Sequence, residues 1–286
     1  MYEGFFGFTQ APFSVTADPD FIYFSGEHKE AFSTLLYGVK MKKGFIALTG
    51  EVGTGKTTLC KALFASLDKN IKTAFIFNPD LSETQMLQAI LEEFGIESKK
   101  KAKVDLFNQL NSFLIEQLAL SNNVVLIIDE SQNLKTRTLE QIRLISNLET
   151  DKEKLIQIIF SGQPELHKKL SGFKLRQLNQ RIGIRCHLSP LKRHEVEEYI
   201  RHRMNVAGPS HRVEFSYWAT DLIYRFSRGT PRLINLACDR ALLAGYAKQT
   251  LSISEEIIKS AIAEINSIGP RVAVPETRPV EGETVS

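Results

Sequence analysis

Gly50-Glu51-Val52-Gly53-Thr54-Gly55-Lys56-Thr57 fits G-x-x-x-x-G-K-[ST], the pattern of a loop that wraps a nucleotide's phosphates. Its flanks suit that reading. An apolar run, Gly44-Phe-Ile-Ala-Leu-Thr49, feeds the loop, and a helical pattern over 56–67 leaves it. Three glycines let the backbone turn sharply and aim successive N–H groups at phosphate oxygens, aided by the positive end of the following helix. Lys56 is placed to reach the β- and γ-phosphates, and the Thr57 hydroxyl to sit on Mg²⁺. The candidate nucleotide-binding set is Gly50, Glu51, Val52, Gly53, Thr54, Gly55, Lys56, Thr57 and Thr58.

A second motif follows some seventy residues on. Val124-Val-Leu-Ile-Ile-Asp129-Glu130 reads as a buried strand that ends in two carboxylates. Charges are costly inside a sheet, so they belong at its C-terminal edge, where open α/β sheets bind ligands. Asp129 fits Mg²⁺ directly or through water, since this ion takes few carboxylates plus waters and phosphate oxygens. Glu130 is then the candidate catalytic group that orients or deprotonates a water facing the γ-phosphate. The adjacent Asp-Glu favours hydrolysis of ATP over a nucleotide-binding switch. Ser161-Gly-Gln163-Pro164 ends another apolar run, so Ser161 or Gln163 can hydrogen-bond the γ-phosphate or the water, or simply cap a strand-to-helix turn. Gly229-Thr-Pro-Arg232 opens a helix, and Arg232 is a candidate nucleotide contact.

Around these motifs, apolar runs at 45–49, 73–77, 124–128, 155–160 and 184–188 alternate with helical patterns at 56–67, 83–94, 105–120, 138–149 and 164–170. Strands apolar throughout and separated by helices predict a parallel α/β sheet covered on both faces. From about His194 only helical periodicity remains, and residues after Ser267 lose all period. The expected organisation is therefore an N-terminal segment (1–43) packing on the core, a nucleotide-binding domain (44–190), a small all-helical unit (191–267) and a disordered tail (268–286).

With 286 residues and a formal charge of +3, the chain is long enough for a sizeable core and too nearly neutral to imply nucleic acid by itself. Cys60, Cys186 and Cys238 lack metal-type spacing and are odd in number, which suits reduced thiols. No apolar run approaches 18 residues, and the N-terminus lacks the basic start and apolar stretch of a signal peptide. The expectation is a cytoplasmic protein.

In order, the phosphate loop, the Asp-Glu strand, the polar strand tip, an arginine-bearing turn and the helical unit with Gly-x-Pro-Arg resemble the AAA+ ATPase superfamily. The resemblance implies a five-stranded P-loop sheet, with Lys56 and Thr57 in Walker A, Asp129 and Glu130 in Walker B, Ser161 or Gln163 as sensor 1, and Arg232 as sensor 2 in a helical lid. Leu175-Arg176-Gln-Leu-Asn-Gln-Arg181-Ile is similar to the segment that carries an arginine finger, with Arg181 the first choice and Arg176 the second. A finger acting in trans implies a homo-oligomer, either a ring (a hexamer being one form) or a helix.

A narrower resemblance rests on Phe5-Phe6-Gly7-Phe8, Ala11-Pro12-Phe13, Asp18-Pro19-Asp20-Phe21-Ile22-Tyr23, His28-Lys-Glu30-Ala31, Asp129-Glu130-Ser-Gln-Asn-Leu134 and Ser161-Gly-Gln-Pro-Glu-Leu166. These are similar to the general secretion pathway protein A family, bacterial ATPases of type II secretion and of mannose-sensitive-haemagglutinin pilus assembly. That likeness implies a membrane-anchored assembly partner. Larger members continue into a membrane span and a peptidoglycan-binding part, so the chain looks like the short pilus-type form or an isolated ATPase module. From the residues alone, the N-terminal aromatics are expected to pack on the sheet, with Pro12 or Tyr23 lining the adenine pocket.

Two competing functions stay open. Transposition-helper ATPases have a similar core, and from Glu165 to Arg212 there are eleven Lys/Arg, four Asp/Glu and five His. Such a face can hold DNA backbones, although it equally suits a solvated surface or a neighbour contact. A nucleotide-gated scaffold that hardly hydrolyses is the third reading, and the Asp-Glu pair argues against it.

Overall fold

The structure, a computed structural model, describes residues 1–77, 79–97, 102–149, 153–209 and 212–268. In chain order its first half comprises α1 (Tyr2–Phe6), α2 (Gly26–Lys40), β1 (Phe45–Gly50), α3 (Lys56–Ser66), β2 (Ile71–Ile76), α4 (Glu83–Glu93), α5 (Lys103–Ala119), β3 (Asn123–Ile128) and α6 (Thr136–Ile145). There follow β4 (Gln157–Gly162), α7 (Pro164–Leu170), α8 (Arg176–Arg181), β5 (Ile182–Leu188), α9 (Arg193–Ala207), β6 (Glu214–Phe215), α10 (Tyr217–Ser227), α11 (Pro231–Ala247), β7 (Ser252–Ile253) and α12 (Glu255–Ile268). The chain divides into two compact units: Ala17–Ser189, and Met1–Thr16 together with Pro190–Ser286.

The first unit is built on a sheet of order β2-β3-β4-β1-β5, parallel at every pairing. Alternation of side chains across a strand explains why the central strands β1, β3 and β4 are apolar along most of their length. Phe45, Ala47, Leu126, Ile128, Ile158 and Phe160 face one core, filled by Met86, Leu87 and Ile90 of α4, Leu106, Leu110 and Leu114 of α5, and Leu139 and Ile142 of α6. Ile46, Leu48, Val125, Ile127 and Ile159 face the opposite core, filled by Ala31, Leu35 and Val39 of α2 and Leu59, Cys60 and Leu63 of α3. The sequence left α2 unassigned; Ser25 caps it, accepting from His28 N. Because β1 sits between β4 and β5 while α3 carries the chain to the far edge at β2, the loop after β1 opens at the carboxyl end of the sheet.

The second unit gathers α1 and α9–α12. It departs from the all-helical expectation by a two-residue parallel ladder between β6 and β7, where the buried Ile253 pairs with Phe215. Of the expected N-terminal segment 1–43, residues from Ala17 onward group with the sheet, whereas Met1–Thr16 group with the helical unit. Phe5 meets Tyr246 edge to face, Phe13 meets Phe215, and Tyr2 donates to Asp239. Arg203, buried in α9, donates to Pro12 O (2.6 Å) and Ser14 O (3.1 Å) and so fixes the strap. An aromatic-rich N-terminus finds its apolar partners here, and Pro12 lies in this unit instead of in the unit of the phosphate loop. Ile268 closes α12; the rest of the expected tail, 269–286, lies outside the described residues.

Candidate active site

β1 delivers the chain to Gly50, and the next seven residues curl back over the strand end. Gly53 (φ 81°) and Gly55 (φ 98°) occupy the left-handed region that a Cβ would strain. The Thr54 hydroxyl donates to Glu51 O at 2.9 Å and stiffens the turn. Lys56 is buried and donates its ammonium to Gly50 O and Glu51 O, each at 2.9 Å. Burial holds its pKa below the ordinary lysine range, while Glu130, Asp129 and Glu51 oppose that effect. Gly55, at the N-cap of α3, has no side chain to cap the first turn, so the leading N–H groups suit an anion. Val52 is exposed at the loop's crest, and Thr58 is half-buried in the first turn of α3.

The two acids after β3 have different surroundings. Asp129, 2% exposed, accepts from Thr57 Oγ1 at 2.5 Å and from Ser161 Oγ at 2.6 Å. Both hydroxyls donate, so each carboxylate oxygen of this buried charge has a partner. Glu130 has left-handed backbone angles (φ 50°, ψ 35°), which turn its side chain off the line of the strand. Its Oε2 accepts from Gln132 Nε2 at 2.6 Å and from Gln163 Nε2 at 3.3 Å. The structure thus brings together Thr57, Asp129 and Ser161 in one cluster, and Glu130 with Gln163 in another beside it. The converging Thr57 hydroxyl and Asp129 carboxylate fit Mg²⁺, an oxygen-seeking ion that keeps waters and phosphate oxygens on its other positions.

Two residues of the site escaped the sequence reading. His28 on α2 is buried, with Nε2 3.0 Å from Thr54 O and Nδ1 2.8 Å from Ser25 Oγ. The carbonyl can only accept, so Nε2 carries the proton and Nδ1 accepts from the serine. A lone histidine near a helix start carries no signal of this contact. Gln132 was hidden likewise, being one amide in a polar run. Among the arginines, Arg181 ends α8 and donates to Ser146 Oγ (3.3 Å) and to Asn147 Oδ1, while Arg176 is exposed at the start of the same helix. Arg232 is exposed in the first turn of α11, in the helical unit.

The AAA domain family matches residues 39–170, which span the loop, both acids and the β4 tip. General secretion pathway protein A of Aeromonas hydrophila is 43% identical over 269 residues, covering 94% of this chain and 49% of that protein. The chain has the AAA+ P-loop fold and is related to general secretion pathway protein A. It spans about half the length of that relative. Two solved structures share the AAA+ fold at lower identity. ORC2 of Aeropyrum pernix, in ADPNP–ADP complexes, has a TM-score of 0.69 at 18% identity, over 90% of this chain and 72% of that one. The RuvB Holliday junction branch migration motor of Thermotoga maritima has a TM-score of 0.57 at 23% identity, over 84% and 68%. No helix among the described residues is long and apolar enough to cross a membrane.

Proposed function

We propose that this AAA+ protein binds ATP with Mg²⁺ and hydrolyses it to drive assembly of a bacterial secretion or pilus system. The observation that carries the chemistry is the division of labour between neighbouring acids. Asp129 is saturated by two hydroxyls, one of them from the helix that follows the phosphate loop. Among the described residues Glu130 is held by two amides through one oxygen, which leaves its other oxygen to take a proton from water. Lys56 would leave the loop carbonyls for the β- and γ-phosphates, and the loop N–H groups would take the remaining oxygens. Thr57 and Asp129 would hold Mg²⁺, which supplies charge neutralisation between the β- and γ-phosphates. Gln163 and Ser161 orient the acids from the β4 tip. Arg181, or failing that Arg176, serves a neighbouring copy's γ-phosphate in a ring or helical homo-oligomer, and Arg232 contacts the nucleotide.

The secretion role is supported by the relative's name and the 43% identity. On this reading the chain works in the cytoplasm, recruited to the inner membrane by an anchored partner. Calorimetry of the purified chain with ATP, with and without Mg²⁺, tests the binding step; no Mg²⁺-dependent heat would remove the basis of the proposal.

One observation favours a second reading, a DNA-associated ATPase of the transposition-helper type: the basic excess from Glu165 to Arg212. A gel shift with duplex DNA across a salt series, with and without ATP, separates the two. Tight ATP-dependent filaments on DNA would favour it over the assembly role.

A further inference from the structure

Three successive residues at the tip of β4 each serve a different residue of the acidic turn. Ser161 donates to Asp129, and Gln163 donates its side-chain amide to Glu130. Gly162, between them, serves Gln132. A Cβ on Gly162 would lie 2.8 Å from Gln132 Oε1 and 3.3 Å from Gln132 N, so the glutamine lies flat against a strand position with no side chain. Gln132 uses both ends of its amide. Its Nε2 donates to Glu130 Oε2 at 2.6 Å, and its Oε1 accepts from Gln163 N at 3.0 Å. Its own carbonyl accepts from Lys169 of α7, which also donates to Leu134 O at 2.9 Å. The side chain is therefore fixed at its backbone, at its amide oxygen and at its amide nitrogen.

We propose that Gln132 is the positioning residue that aims the Glu130 carboxylate, and that Gly162 exists in this chain to let it do so. The inference rests on Glu130 acting as the base in ATP hydrolysis. Glu130 is itself the left-handed residue of the turn, so its backbone sets where the Cβ points and leaves the χ angles to be fixed by its hydrogen-bond partners. The Gln132 bond is the shorter of its two amide contacts and comes from a group held at its far end. A carboxylate held by Oε2 presents Oε1 in one direction, which is the condition for drawing a proton from one particular water.

The experiment compares nucleotide affinity, kcat and KM in wild type, Gln132→Ala, Gln132→Glu, Gly162→Ala and Glu130→Gln, with Gln132→Ala also placed on Glu130→Gln. Affinity is read with a fluorescent ATP analogue and turnover by phosphate release. Gln132→Ala is expected to bind as wild type, keep its KM, and lose about 10- to 100-fold in kcat. Gln132→Glu keeps the side chain's length but removes its amide donor, and is expected to lose kcat at unchanged KM and nucleotide affinity, a split that general loosening of the turn would not give. Gly162→Ala reproduces the kcat loss with Gln132 and Glu130 both unmutated, by pushing the Gln132 amide aside, and Gln132→Ala adds nothing to Glu130→Gln. A Gln132→Ala enzyme with wild-type or raised kcat overturns the proposal while leaving Glu130 as base. A Glu130→Gln enzyme with wild-type kcat overturns instead the underlying reading of Glu130 as the base.

Discussion

Ser161 donates its hydroxyl to Asp129 Oδ1 at 2.6 Å, so the end of β4 holds the carboxylate that terminates β3. Thr57 holds the other oxygen, and a charge that is 2% exposed is tied to two separate elements. Ser161→Ala leaves Oδ1 buried without that donor. The expected cost is about 1–3 kcal/mol, read as a lower urea midpoint for the sheet unit, together with slower phosphate release. An unchanged midpoint would mean that water replaces the hydroxyl freely.

Lys56 makes its bonds to backbone carbonyls, with three carboxylates acting on its charge. Removing the ammonium removes a charge-assisted contact of about 1.5–3 kcal/mol, so Lys56→Ala should bind ATP roughly 10- to 100-fold more weakly. Titration of a fluorescent nucleotide checks this. Wild-type affinity in the variant would exclude the lysine from the phosphates.

Gly50 has no room for a side chain. A Cβ there would sit 2.5 Å from Leu188 O and 2.9 Å from Thr54 Oγ1. The carbonyl lies on β5, paired with β1, and cannot give way without disturbing that ladder. Gly50→Ala should destabilise by about 1–3 kcal/mol and weaken nucleotide binding. Gly26→Ala, with nothing within 4 Å, should do neither. Equal melting temperatures for the two variants would contradict the packing described.

The thiols make a pH prediction. Burial pushes the Cys60 thiol up to about 12 and the half-buried Cys186 to about 11, with Glu30 adding to the latter. Desolvation disfavours the thiolate, and only the thiolate reacts with disulfide reagents. Native protein at pH 8 should therefore label slowly. Its Cys186 rate should rise about tenfold per pH unit toward pH 10, and all three cysteines should react at once in guanidinium. Rapid native labelling at pH 8 would refute this.

Arg181 is bonded to Ser146 and Asn147 of its own unit. If it serves a neighbour's phosphate it must leave them, and Arg181→Ala should bind ATP normally while hydrolysing about 10³-fold or more slowly. A normal rate would move the role to Arg176 or dismiss it.

Much of the sheet unit was legible because its signals are local. Glycines at fixed offsets mark the loop, and unbroken apolar strands mark a sheet with two covered faces. The acids of 129–130 stood out because charge after such a strand has to find partners at the sheet's carboxyl edge. What stayed hidden depends on contacts far apart in sequence. The aromatics at Phe5 and Phe13 announced burial, but not that Tyr246 and Phe215 would receive them. The contact of His28 with the loop carbonyl at Thr54 joins residues 26 positions apart and has no periodicity to betray it. Gly162 carried no signal within its polar strand tip, yet its lack of a side chain leaves room for Gln132 and Leu166. β5 begins two residues before the expected 184, because Ile182 still pairs with Phe45 ahead of a register shift.

The most direct measurement is phosphate release at saturating ATP and Mg²⁺ from wild type and Glu130→Gln, with bound nucleotide measured on the same samples. We predict steady release by wild type, and a loss of about 100-fold or more in a variant that still retains ATP. Equal substantial rates in the two proteins would contradict the role assigned to Glu130, and equal negligible rates would contradict the account of this chain as an ATP hydrolase.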